Sequence, residues 1–265
     1  MQGLLNAVAE LFPNIEHRMC TRHIYANWRK KYRDEDFQKP FWMCAKASSI
    51  PFFNYCRAKL AQLTPDGAKD MMKTNPKHWS QAWFNIGSNC DSVDNNMCES
   101  FNNWIVDVRA HPIISMLDGI RTNVFVRIQQ NRTKASKWNT RICPNILKKV
   151  NKYIDLAQSC SGIWNGKDGY EVRQKDKRYI VDIEKRTCSC RYWQLAGIPC
   201  AHAITALFYS SQPAEDYIAQ CYSVEVYNKI YGELISLSIL VMSNLAHRYQ
   251  LWYNSFCHFP VTCKH

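Results

Sequence analysis

Acidic side chains are missing from a long central stretch: between Gly119 and Ile154 there are nine Lys and Arg and no Asp or Glu. The chain of 265 residues carries 34 Lys and Arg against 22 Asp and Glu, a formal charge of +12. Such an excess calls for an acidic partner. Also lacking is an apolar run long enough to cross a bilayer. The longest, Leu234–Met242, contains two serines and falls well short of the ~20 residues that a spanning helix needs. No basic amphipathic helix lies beside a lipid-facing stripe, so nucleic acid is the expected partner and membrane is not. Met1–Pro13 has no basic start followed by a long apolar segment, so a secretory signal is not expected. Thirteen cysteines are an odd number, which excludes a complete disulfide framework. So many cysteines without a secretory signal suggest a reducing compartment, in which Cys44, Cys56 and Cys160 are expected to be buried and inert. No internal repeat is present.

What the chain does have is the composition of a globular protein, 46% apolar and 13% aromatic. Gln2–Phe12 has a helical period ended by Pro13, and Ile15–Cys20 reads as a short strand. From His23 to about Trp83 the pattern is helical and aromatic, with breaks expected at Pro40, Pro51 and Pro65. Asn85–Met97 reads as a loop and Cys98–Ala110 as a helix. A longer helix, opened by Pro112, runs to about Asn131 with Ile113, Met116, Leu117, Ile120, Val124 and Ile128 on one face. A shorter one covers Asn145–Ala157. Over these last two helices the basic excess offers Arg121, Arg127, Arg132, Lys134, Lys137, Lys148 and Lys149 as candidate DNA-binding residues. The competing reading is a solvated helix face. Gly162–Asp168 reads as a turn-rich boundary, and Tyr170–Val172 and Tyr179–Ile183 as a hairpin joined by Arg173–Arg178.

The most specific pattern is Cys188-Ser-Cys190, nine residues, then Cys200-Ala-His202. Two cysteines at the end of a strand can converge, because alternate residues share a face. Cys200 and His202 stand at the start of a helix over Ala201–Tyr209, where the dipole favours a thiolate, and Gly197 permits the return of the chain. Three thiolates and one imidazole complete a Zn²⁺ tetrahedron with no position left for water, so the site is expected to be structural. Cys257, His258, Cys263 and His265 are too crowded in sequence for a second clean tetrahedron.

Cys188–His202, with its flanking hairpin and Ala203–Phe208, resembles a SWIM zinc finger. "CESFNNWI" at Cys98–Ile105, "HPIISMLDGIRTNVFVRIQQNR" at His111–Arg132, "GLLNAVAELFPNIEHRMCTRHIYANW" at Gly3–Trp28 and "CRYWQLAGIPCAHAI" at Cys190–Ile204 are similar to the C-terminal part of Mutator-like (MuDR) plant transposases. The resemblance covers roughly Met1–Tyr231. It implies an α+β, mainly helical fold: a remnant of an RNase H-like core with a helical insertion, followed by a small zinc-stabilised hairpin and helix. It divides the chain into a partial transposase region at 1–160, the finger at 165–215 and a divergent tail at 232–265.

In that family two Asp and one Glu hold two divalent metals for strand cleavage and transfer. Glu99 matches the family's Glu, and the two Asp have no match in this chain. The resemblance therefore implies a zinc-binding, DNA-binding nuclear protein without catalysis. Two alternatives stay open: a segment of an active transposase, and a domesticated transcriptional regulator whose finger binds protein. Loss of the family's sheet would also leave helices with an uncovered apolar face. Cys20 and His23 match a Cys-x-x-His element of the family, and buried packing is expected of them rather than metal binding.

Overall fold

Pro40, Pro51 and Pro65 each stand in the first turn of a helix in the computed structural model, which describes residues 6–7, 10–12, 15–167 and 169–232. The helices are, in turn, α2 (Gln38–Ala45), α3 (Ile50–Leu63) and α4 (Pro65–Asp70). A first turn has no carbonyl for those nitrogens to bond, so the missing N–H costs nothing there. The expected strand at Ile15–Cys20 is instead an extended segment without a ladder, its end held by Met19 N–H to the His78 carbonyl. The opening helix falls mostly outside the described residues, although Asn6, Ala7, Glu10 and Leu11 are helical.

Two units form. The first comprises residues 1–85 and 91–95. α1 (Thr21–Arg29) buries Thr21, Tyr25 and Trp28, and α3 buries Phe53, Cys56 and Leu60, the spacing of a helical face. Their aromatic side chains meet Phe41 and Trp79, whose rings stack 5.7 Å apart at 7°. Buried polar groups are satisfied: Trp28 Nε1 donates to the Gly67 carbonyl at 2.9 Å, and Ser80 Oγ to that of Cys44 at 2.8 Å. Cys44 and Cys56 are buried as expected, whereas Cys160 is only half-buried, and burial pushes the Cys44 thiol up to about 12. Cys20 is half-buried at the N-terminus of α1 and accepts from Asn95 N–H. His23 is exposed on α1, contrary to the expected buried packing, because it lies off the Thr21–Tyr25–Trp28 face.

The second unit comprises residues 86–90 and 96–265, as far as they are described. α5 (Asn96–Trp104) and a 3-10 turn (Asp107–Ala110) replace the single helix expected over Cys98–Ala110. α6 (Ile113–Ala135) and α7 (Pro144–Ala157) follow. A four-stranded antiparallel sheet in the order β1-β2-β3-β4 comes next: β1 (Cys160–Trp164), β2 (Gly169–Gln174), β3 (Lys177–Asp182) and β4 (Thr187–Cys188). The expected hairpin is thus the middle of a larger sheet. Its turn is only Lys175–Asp176, with Lys175 at φ +53°. The segment read as a turn-rich boundary contributes β1 as far as Trp164. Then come α8 (Tyr192–Ala196), α9 (Ala201–Tyr209) and α10 (Val224–Gly232).

α9 is the shared element. Ala203 and Ala206 pack toward the sheet with Val172, Val181 and Trp193. Ala201 and Ile204 pack with Ile146 and Val150 of α7, and with Ile218, Tyr222 and Tyr227. Small side chains let α9 approach both layers closely. α10 lies along the end of α6, where Ala135 is buried. The apolar face expected on α6 is uncovered toward its start: Ile113 is 63% exposed and Leu117 42%. No described helix is long and apolar enough to cross a membrane.

Candidate metal centre

Cys188 ends β4, paired with Val181 across the ladder. Cys190 lies beyond the strand, so alternation along a strand is not what joins the two sulfurs. A backbone turn does it: Arg191 takes a left-handed conformation (φ 67°) and its N–H donates to the Cys188 carbonyl at 2.7 Å. Ser189 continues the ladder by other means. Its N–H donates to the Ile180 carbonyl, and its hydroxyl accepts from Ile180 N–H at 3.0 Å. Gln194 then clamps Cys188, accepting from its N–H at 3.2 Å and donating to its carbonyl at 3.1 Å. The glutamine comes from α8, and nothing in its sequence position marked it.

The other two donors arrive as expected. Gly197, at φ +66°, turns the chain after α8. Cys200 is the N-cap of α9, its sulfur accepting from Ala203 N–H at 3.4 Å, and His202 is the second helical residue. One sulfur thereby meets an unpaired N–H of the first turn.

The four donor atoms lie within 4.8 Å of one another, Cys188, Cys200 and His202 being buried and Cys190 nearly so. Cys190 Sγ is 3.5 Å from Cys200 Sγ. His202 Nδ1 is 3.7 Å from Cys188 Sγ and 3.8 Å from Cys200 Sγ. A tetrahedron with Zn–S arms of ~2.3 Å and a Zn–N arm of ~2.0 Å has edges of roughly 3.5–3.8 Å. The donor set and these three separations therefore match a zinc tetrahedron. Burial pushes the Cys200 thiol up, whereas hydrogen bonds from Cys188 and Cys200 hold Cys190 low as the accepting thiolate. Zinc supplies the positive charge that lets all three ionise together. Four protein donors leave no open position, so the centre holds structure and does not polarise a substrate.

The other candidate residues are spread over the helices. Glu99 lies half-buried in the first turn of α5. Arg121 pairs with Asp118 at 2.5 Å and lies over Phe125. Arg127 lies over Trp104, and Lys149, half-buried, over Tyr192. Arg132 donates to the Gly232 carbonyl. Lys134, Lys137 and Lys148 are exposed. At about 100° per residue, Arg127 and Lys134 share one stripe of α6, and Arg121 and Arg132 another about 120–160° away. The seven do not face one way. Cys257, His258, Cys263 and His265 lie outside the described residues.

No curated protein and no solved structure gives a match to the chain. Residues 170–210 match the family model of the SWIM zinc finger, a span that contains β2 from its second residue, β3, β4, α8, α9 and all four zinc donors, so the centre is the zinc site of a SWIM finger.

Proposed function

We propose that the chain is a Mutator-like transposase derivative that keeps a remnant of the RNase H-like core, is held in shape by zinc, binds DNA in the nucleus and performs no strand chemistry. The observation that carries the DNA reading is the exposed stripe of Arg127 and Lys134 on α6, with Lys137 exposed just past its end, in a stretch without acidic residues. Trp104 lies under Arg127 at 5.5 Å, a contact that positions this charge without neutralising it. Such a stripe reads phosphate rather than base edges, so binding is expected to be weakly selective for sequence.

Replacing Arg127, Lys134 and Lys137 together with Ala tests this on duplex DNA at several salt concentrations. Three phosphate contacts give a log–log salt slope of roughly −3. The variant is expected to bind at least tenfold more weakly, with a shallower slope. Unchanged affinity and slope would make the stripe a solvated helix face.

Within this chain only Glu99 matches the family's three carboxylates, and one carboxylate cannot hold two metals. Incubation with terminal-repeat DNA and Mg²⁺ or Mn²⁺ is expected to give no cleavage or strand transfer. Cleavage that disappears in Glu99→Gln would instead favour the reading as a segment of an active transposase.

A second reading has its own support. On the solvent face of the sheet Ile163 and Ile180 are 50% and 56% exposed, on either side of Glu171 in the register. Two exposed isoleucines flanking a carboxylate suit a protein surface better than a phosphate. A domesticated regulator would use the finger in this way, and would keep its affinity for that protein in the α6 triple variant.

A further inference from the structure

The ring of His202 is held on its edge and on its face. Nδ1 points at the sulfurs of Cys188 and Cys200, and Nε2 lies 3.1 Å from Gln174 Oε1. The ring of Tyr179 stacks against it with centroids 3.7 Å apart and planes inclined by 21°. Gln174 and Tyr179 lie on adjacent strands of the middle hairpin, outside the four-donor motif. Gln174 closes β2, paired with Lys177 across the Lys175–Asp176 turn and with Cys160 of β1. Its backbone is thus fixed from both sides.

We propose that Gln174 is a positioning residue of the zinc centre, selecting Nδ1 of His202 as the metal-binding nitrogen and holding the single imidazole proton on Nε2. A neutral imidazole carries one N–H. If Nδ1 gives its lone pair to the metal, the proton must sit on Nε2, and a buried N–H needs an acceptor. Gln174 Oε1 is that acceptor. The opposite tautomer would set a lone pair of Nε2 against the Gln174 oxygen and point an N–H at two sulfurs that the metal requires as donors. A glutamine supplies the acceptor without adding charge, which matters beside a centre where three thiolates already outweigh Zn²⁺ by one negative charge. Tyr179 acts with it, limiting rotation of the ring out of the plane in which both nitrogens meet their partners.

The proposal rests on zinc occupying the four donors, and zinc content of the wild-type chain tests that premise separately. Gln174→Ala leaves Nε2–H without its acceptor and is expected to weaken zinc binding by about 10- to 100-fold, measured on the full chain by competition with a chromophoric chelator. Gln174→Glu retains an acceptor but adds a negative charge, and is expected to recover part of that loss. Zinc-loaded wild-type protein with ¹⁵N-labelled histidine gives a readout that does not depend on any variant folding. The zinc-bound nitrogen should couple strongly to Hε1 alone, as Nδ1 does, and the protonated nitrogen to both ring C–H protons. Zinc on Nε2, or zinc affinity unchanged in Gln174→Ala, would overturn the role of Gln174 while leaving the centre intact. A wild-type chain that binds no zinc would remove the centre itself.

Discussion

At position 197 two separate demands require glycine. The backbone is left-handed there (φ +66°), and a Cβ would come within 2.5 Å of the Asn89 side-chain oxygen and 2.8 Å of the Ala219 Cβ. Gly166, also at positive φ (+86°), has nothing within 4 Å of the same point. The pair separates conformation from packing. Alanine in the left-handed region costs about 1–2 kcal/mol, and overpacking adds about 1–3 kcal/mol. Gly197→Ala is therefore expected to destabilise the zinc-loaded protein by about 2–5 kcal/mol, and Gly166→Ala only by the conformational part. Denaturant unfolding of both variants measures the difference. Equal losses at the two positions would mean that the Asn89 and Ala219 contacts can move aside at no cost.

At the scale of elements, legibility followed how local the signal was. α9 could be read to its end residues, because Pro199 and Cys200 mark its start and an apolar run fills it. The four zinc donors were legible for the same reason: metal chemistry restricts residue type and spacing within fifteen positions. β1 was not legible. Ser161-Gly162-Ile163 has little strand propensity of its own, and it becomes a strand by pairing with β2 over five register positions. The expected breaks at Pro40, Pro51 and Pro65 are there, and the structure adds that each proline lies in the first turn of the helix after the break. Gln174 and Gln194 carried no signal at all. A glutamine beside a metal motif is ordinary in sequence, and its role appears only when the hairpin and α8 bring it to His202 and to the Cys188 backbone. The basic stretch showed its charge in sequence but not its direction, since α6 turns Arg121 and Arg132 away from Arg127 and Lys134.

Across the whole molecule, stability divides between two kinds of core. The first unit is held by a dense aromatic cluster around Trp28, Phe41, Phe53 and Trp79. In the second, α9 carries the third and fourth zinc donors and also contributes Ala201 and Ile204 to the cluster shared with α7 and with Tyr222 and Tyr227. Structural zinc binding is worth about 10–16 kcal/mol, as much as the whole stability of an ordinary domain, about 5–15 kcal/mol. Removing the metal leaves three thiols crowded in a buried site and takes away the constraint on the start of α9. The loss should therefore spread beyond the finger: α7 packs Ile146 and Val150 against the face of α9 that the zinc orients. Hydrogen exchange before and after chelation is expected to show protection lost across Cys160–Tyr209 and also in Pro144–Ala157, with Thr21–Arg29 and Ile50–Leu63 unchanged. Restoring zinc should restore both regions together. Protection retained in Pro144–Ala157 after chelation would show that α7 has enough of a core without α9, and that the finger folds on its own rather than as part of the unit.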